Sequence, residues 1–77
     1  MKSLLVHNHT DSVMTLMLEP IGVYFEIPPK DKVTIIGTFS SDAMDFGEVE
    51  LHTDCFSVWT SLDAVVMCNG VELQPCR

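Results

Sequence analysis

The stretch "LMLEPIGVYFEIPPKDKVTI", residues 16–35, decides how this chain folds. It lies across three short apolar runs, "VMTLMLE" (13–19), "GVYFEI" (22–27) and "KVTIIGTF" (32–39). Each is rich in aliphatic and β-branched residues, and their periodicity is nearer two than 3.6. Glu19-Pro20-Ile21-Gly22 separates the first pair, and Pro28-Pro29-Lys30-Asp31 separates the second. Proline cannot donate to a β-ladder and presets φ for a turn. The stretch therefore reads as strand, turn, strand, turn, strand.

The same pattern extends outward. "SLLVH" (3–7), "EVELHTD" (48–54), "FSVWT" (56–60), "AVVMCN" (64–69) and "VELQ" (71–74) are further strand candidates. Asn69-Gly70 is the strongest hairpin signal, because both residues accept the positive φ of a type I′ turn. The only helical candidate, Ser40 to Phe46, is one turn long and falls in the longest polar interval, 40–47. Seven to eight short strands predict an all-β fold: a small single-domain antiparallel sandwich or barrel over residues 1–77. Alternation assigns Leu16, Leu18, Val23, Phe25, Ile27, Val33, Ile35 and Phe39 to the interior. It adds Val49, Leu51, Phe56, Val58, Val65 and Met67, and turns Tyr24, Ile36 and Trp59 to the opposite faces. Methionine suits irregular core gaps, so Met14, Met17, Met44 and Met67 are read chiefly as core fillers.

A chain of 77 residues makes one domain with a thin core. Hydrophobic residues at 47% and charged residues at 19% describe a globular chain rather than a disordered one. No apolar run reaches the roughly 18–20 residues of a spanning helix. Met-Lys-Ser-Leu-Leu-Val begins like a signal peptide, but His7 ends the apolar run and no small-residue cleavage site follows, so no targeting segment is expected. Cys55, Cys68 and Cys76 are an odd number with no C-x-x-C pair, which points to free thiols in a reducing, cytoplasmic setting. A Cys68–Cys76 disulfide is the alternative for an exported chain. The formal net charge is -7, and no lysine or arginine occurs between Val33 and Cys76. Such a surface repels nucleic-acid phosphates and anionic membranes and attracts basic partners.

The acidic series Asp42, Asp45, Glu48, Glu50 and Asp54 carries two readings. It is either a solvated face that keeps a hydrophobic small protein soluble, or a docking surface for a basic groove. Glu48 and Glu50 share a strand face, where like-charge repulsion raises one carboxyl's pKa. No calcium-loop spacing accompanies them. Trp59 joins the docking residues because tryptophan is enriched at binding hot spots. The second candidate is "VHNHTDS" (6–12). His7-x-His9 places two imidazoles on one side of an extended strand, with His52 among the available third ligands for a metal ion. The alternative is a turn built by Asn8, Thr10, Asp11 and Ser12 through side-chain-to-backbone hydrogen bonds.

Two resemblances follow from these motifs. Over about residues 8–36, the Asn-x-Thr turn at Asn8, the L-x-L-E-P segment ending at Pro20, the aromatic-bearing strand and Pro28-Pro29 resemble small uncharacterised bacterial β proteins. That likeness implies a compact β fold and no particular chemistry. The His7-x-His9 pair is similar in part to the first motif of cupins. A cupin glutamate would follow the second histidine with three to four residues between them, where Val13 and Met14 stand; here the acid is Glu19, and a second histidine motif is missing. In size and charge the chain also resembles small acidic phage-encoded inhibitors, including anti-CRISPR proteins.

The expected function is that of a small, non-enzymatic, cofactor-free protein-binding module, an inhibitor or adaptor that docks on a basic protein surface. Self-association into a homodimer is a further expectation. A cupin-like barrel binding a metal or small ligand through His7 and His9 is the alternative.

Overall fold

The computed structural model describes residues 2–37 and 48–76. Eight strands form: β1 (Lys2–His7), β2 (Met14–Glu19), β3 (Val23–Ile27), β4 (Lys32–Gly37), β5 (Val49–Leu51), β6 (Cys55–Trp59), β7 (Val65–Cys68) and β8 (Val71–Glu72). They build two four-stranded sheets, A in the order β1-β4-β7-β8 and B in the order β3-β2-β6-β5. The fold is all-β, as the strand count and turn signals predict, and it is a sandwich rather than a barrel. The helical turn considered for 40–46 lies outside the described residues, as do Asp42 and Asp45.

The turns form where the residue chemistry places them. Asp31 N donates to Pro28 O at 3.2 Å, with Pro29 and Lys30 between them and Lys30 at φ 65°. Asn69 and Gly70 take φ values of 52° and 80° between β7 and β8. The turn at Glu19-Pro20 contains a cis peptide bond, and Gly22 follows at φ 82°.

One pairing departs from the antiparallel expectation: β2 and β6 run parallel, with Leu16 beside Phe56 and Leu18 beside Val58. The β2–β3 and β5–β6 hairpins both belong to sheet B but are separated in sequence by β4 of sheet A. The second hairpin returns to the sheet with its second strand alongside β2.

The core lies between the sheets. Leu16, Leu18, Phe25, Ile27 and Val58 come from B, and Val33, Ile35 and Val66 from A. Burying each such side chain contributes on the order of 1.5–3 kcal/mol relative to exposure. Three expectations need correction. Val66 is the buried residue of β7, while Val65 and Met67 point to the outer face, half-buried. Met17 likewise faces outward from β2. Val49 and Leu51 do have the inward phase, opposite Val58 and Phe56, yet they are 52% and 83% exposed. No described strand of sheet A covers them. Phe39 lies outside the described residues.

One buried polar residue organises an end of the sandwich. Asn8 is 4% exposed, and its Nδ2 lies 2.9 Å from Ser12 O, 3.0 Å from Ile27 O and 3.1 Å from Pro28 O. Its Oδ1 accepts from Thr10 N at 3.0 Å and Thr10 Oγ1 at 2.6 Å. Its backbone N–H donates to Asp31 O at 2.8 Å. A single carboxamide thus ties the β1–β2 crossover to the β3–β4 crossover. "VHNHTDS" is first of all this turn.

Asn8→Asp tests that assignment. A carboxylate has no proton for three carbonyl oxygens, so the variant loses on the order of 2–4 kcal/mol. By calorimetry this lowers Tm by roughly 10–20 °C. A melting point unchanged from the parent removes Asn8 from its structural role.

Candidate functional site

The outer face of sheet B follows from strand phase. With Leu16, Leu18, Phe25 and Val58 inward, the opposite positions are Thr15, Met17 and Glu19 on β2 and Tyr24 and Glu26 on β3. Cys55, Ser57 and Trp59 on β6 and Glu50 on β5 complete it, with Glu48 just before β5. Register places Glu19 beside Trp59 on one side. Glu48 flanks Trp59 on the other, accepting its backbone N–H at 2.9 Å. The next row is Tyr24, Met17, Ser57 and Glu50. Adjacent strands lie about 4.8 Å apart, so Glu19 and Glu48 flank Trp59 in its own row and Glu50 stands in the next. The strands of this sheet contain no lysine or arginine. Lys2 and Lys32 sit on sheet A. Lys30, in the β3–β4 turn, has its Nζ 3.2 Å from Asp11 and donates to His9 O at 2.7 Å.

Trp59 is 40% exposed, and its indole N–H donates to Glu50 Oε1 at 3.1 Å. That bond is the main reason Glu50 titrates below the ordinary carboxylate value; a hydrogen bond from Glu48 adds to it, and His52 helps less. Glu48 moves the other way. Hydrogen bonding to Glu50 favours its protonated form, and the Glu50 charge repels a second negative charge beside it, so Glu48 is pushed up. The two carboxyls behave as a pair that holds a proton unequally, as their shared strand face predicts.

The second feature is a groove of about 410 Å³ on the side of the sandwich where β1 and β5 are the edge strands. Leu4, Val6, Phe56 and Val58 form its base, and Val49 and Leu51 line it from β5. Leu5 and His7 stand at its β1 lip. The opposite side is stitched: Leu73 N donates to Val66 O, and Cys76 N donates to Tyr24 O, both at 2.8 Å. The C-terminal segment thereby passes from sheet A to the β3 edge of sheet B. Among the described residues, the β5 edge on this side carries backbone groups with no strand partner. Glu48 O and His52 N bond to Trp59 N and Cys55 O. In an antiparallel ladder these rungs alternate, so the N–H and C=O of Val49 and Leu51 face away from β6.

The sequence-predicted residues divide accordingly. Glu48, Glu50 and Trp59 come together. Asp54 lies in the turn between β5 and β6, at the far end of β5 from Glu48. His7 and His9 do meet, with ring centroids 3.8 Å apart at 34°. His52 belongs to the other sheet, at the end of β5. Among the described residues, no group of three His, Cys, Asp or Glu side chains could hold a metal ion, so the proposed His7, His9 and His52 set does not assemble. Glu19, Glu26, Met17 and Tyr24 were not legible as members of the acidic face. Their phase was readable, but the parallel β2–β6 pairing that sets Glu19 beside Trp59 was not. No family model, curated protein or solved structure matches this chain.

A carbon-detected pH titration tests the carboxyl pair. Glu48 keeps its proton to a higher pH than Glu50, and Trp59→Phe raises Glu50 and narrows the gap. Coincident titrations that ignore Trp59→Phe contradict the geometry.

Proposed function

We propose that this chain is a small, non-enzymatic protein-binding module whose sheet B outer face docks on a basic protein surface. The carrying observation is charge segregation. Glu19 and Glu48 flank a half-exposed Trp59 and Glu50 accepts its indole N–H, on a sheet whose strands bear no cation. A central aromatic flanked by groups of one sign suits an anchor-and-steering interface: the indole supplies contact area, and the carboxylates supply rate and specificity. A binder of this kind acts as an inhibitor or adaptor by occupying a groove that otherwise receives phosphates.

The setting accords with this role. Cys55, Cys68 and Cys76 are free thiols, which suits a reducing compartment such as the cytoplasm. Among the described residues no helix is long and apolar enough to cross a membrane.

The test begins with capture of partners from the native host and measurement of the recovered complex. Its affinity falls by roughly tenfold or more between low and physiological salt, because exposed charges are screened beyond about 8–10 Å. Glu48→Gln with Glu50→Gln weakens it further, mainly through the association rate, while Lys30→Gln does not. Lowering the pH weakens binding first as Glu48 takes its proton, since Glu48 is the group pushed up. A complex insensitive to salt and to both glutamate substitutions contradicts the proposal.

A further inference from the structure

We infer that the open edge between β1 and β5 takes an extended partner segment as an added strand on β5, one that alternates apolar and basic residues. This rests on the acidic-face reading above and names the mode of capture. Three observations converge on it. Val49 and Leu51 have the core phase of sheet B yet remain 52% and 83% exposed beside an apolar groove of about 410 Å³. Their backbone N–H and C=O groups point away from β6, and among the described residues no strand pairs with them. On the other face of the same strand stands Glu50, with Glu48 just before it.

The chemistry of the occupant follows from strand alternation. A segment hydrogen-bonded to Val49 and Leu51 sends every second side chain toward Leu4, Val6 and Phe56, in the groove. The intervening side chains emerge on the outer face next to Glu48 and Glu50. Apolar residues suit the first set and lysine or arginine the second, since opposite charges across a strand pair attract and like charges repel. Main-chain bonds give affinity in this mode and the alternate side chains give specificity. β5 is short, at three residues, but it carries no proline and no lysine, and the side chains it directs inward are apolar rather than charged.

A capped hexapeptide alternating valine and lysine is the probe, with Trp59 fluorescence and amide resonances as readouts. The expected result is binding that shifts the Val49 and Leu51 amides and weakens by roughly tenfold in Leu51→Lys, which places a like charge at the edge. Because Leu51 is 83% exposed, that variant keeps its fold. The same peptide with alternate backbone nitrogens methylated loses about as much, because it cannot complete the ladder. If the methylated peptide binds equally well but remains salt-sensitive, strand addition is overturned while the acidic-face reading stands. If a valine–glutamate hexapeptide binds as tightly as the lysine one, the acidic-face reading fails and the basic occupant with it. A concentration-dependent dimer abolished by Leu51→Lys overturns the inference in favour of a second copy.

Discussion

The Asn8 carboxamide is the constraint on which the rest of this sandwich depends. Two crossovers, β1 to β2 and β3 to β4, meet at one end, where the Ile27 carbonyl is buried and those of Ser12 and Pro28 lie beside it, accepting also from Thr10 Oγ1 and Asp31 N. Asn8 Nδ2 faces all three, and its Oδ1 receives Thr10. In a chain of 77 residues the apolar core is small, so losing the bonds of this one buried carboxamide costs a large fraction of the total stability. Neither imidazole beside it substitutes: His7 and His9 point to solvent and rest on each other.

Fixing that end has a consequence along the sides. With β1 held against β4 and β2 against β3, sheet A ends at β1, and sheet B extends to β5. The β8–β3 side is joined by the C-terminal segment, and the β1–β5 side keeps its groove. The acidic face and the groove therefore share strand β5, one on each surface. Glu50, bonded to the Trp59 indole N–H, stands on the outer face of that strand. A partner that satisfies both surfaces needs positive charge and apolar side chains in alternation, which ties the electrostatic reading to a backbone geometry.

Much of the fold was legible because its punctuation is chemical. Pro28-Pro29-Lys30-Asp31 and Asn69-Gly70 admit few conformations other than turns, and β2, β3 and β4 each keep their buried apolar side chains in one phase, although Met17 between Leu16 and Leu18 does not declare its face. Phase failed in β7, where "AVVMC" is apolar throughout and offers no alternation to read; Val66 is inward only because β4 fixes the register. Val49 and Leu51 show a different limit. Their phase was readable, but coverage depends on which strand of sheet A stands opposite, a property of the whole topology. The acidic pair Glu48 and Glu50 was visible from local spacing, whereas Glu19 joins Trp59 only through a long-range parallel pairing. His52 does not join His7 and His9 because β5 belongs to sheet B and β1 to sheet A.

Amide hydrogen exchange on the free protein tests the open-sided sandwich most directly. The amides of Leu16, Leu18, Phe25 and Ile35 are buried in the sheets and exchange slowly. The account predicts near-unprotected exchange for Val49 and Leu51 beside a protected Glu50, whose N–H lies in the ladder to Ser57. Strong protection of Val49 and Leu51 in the monomer contradicts it, since the β5 edge would then already be covered.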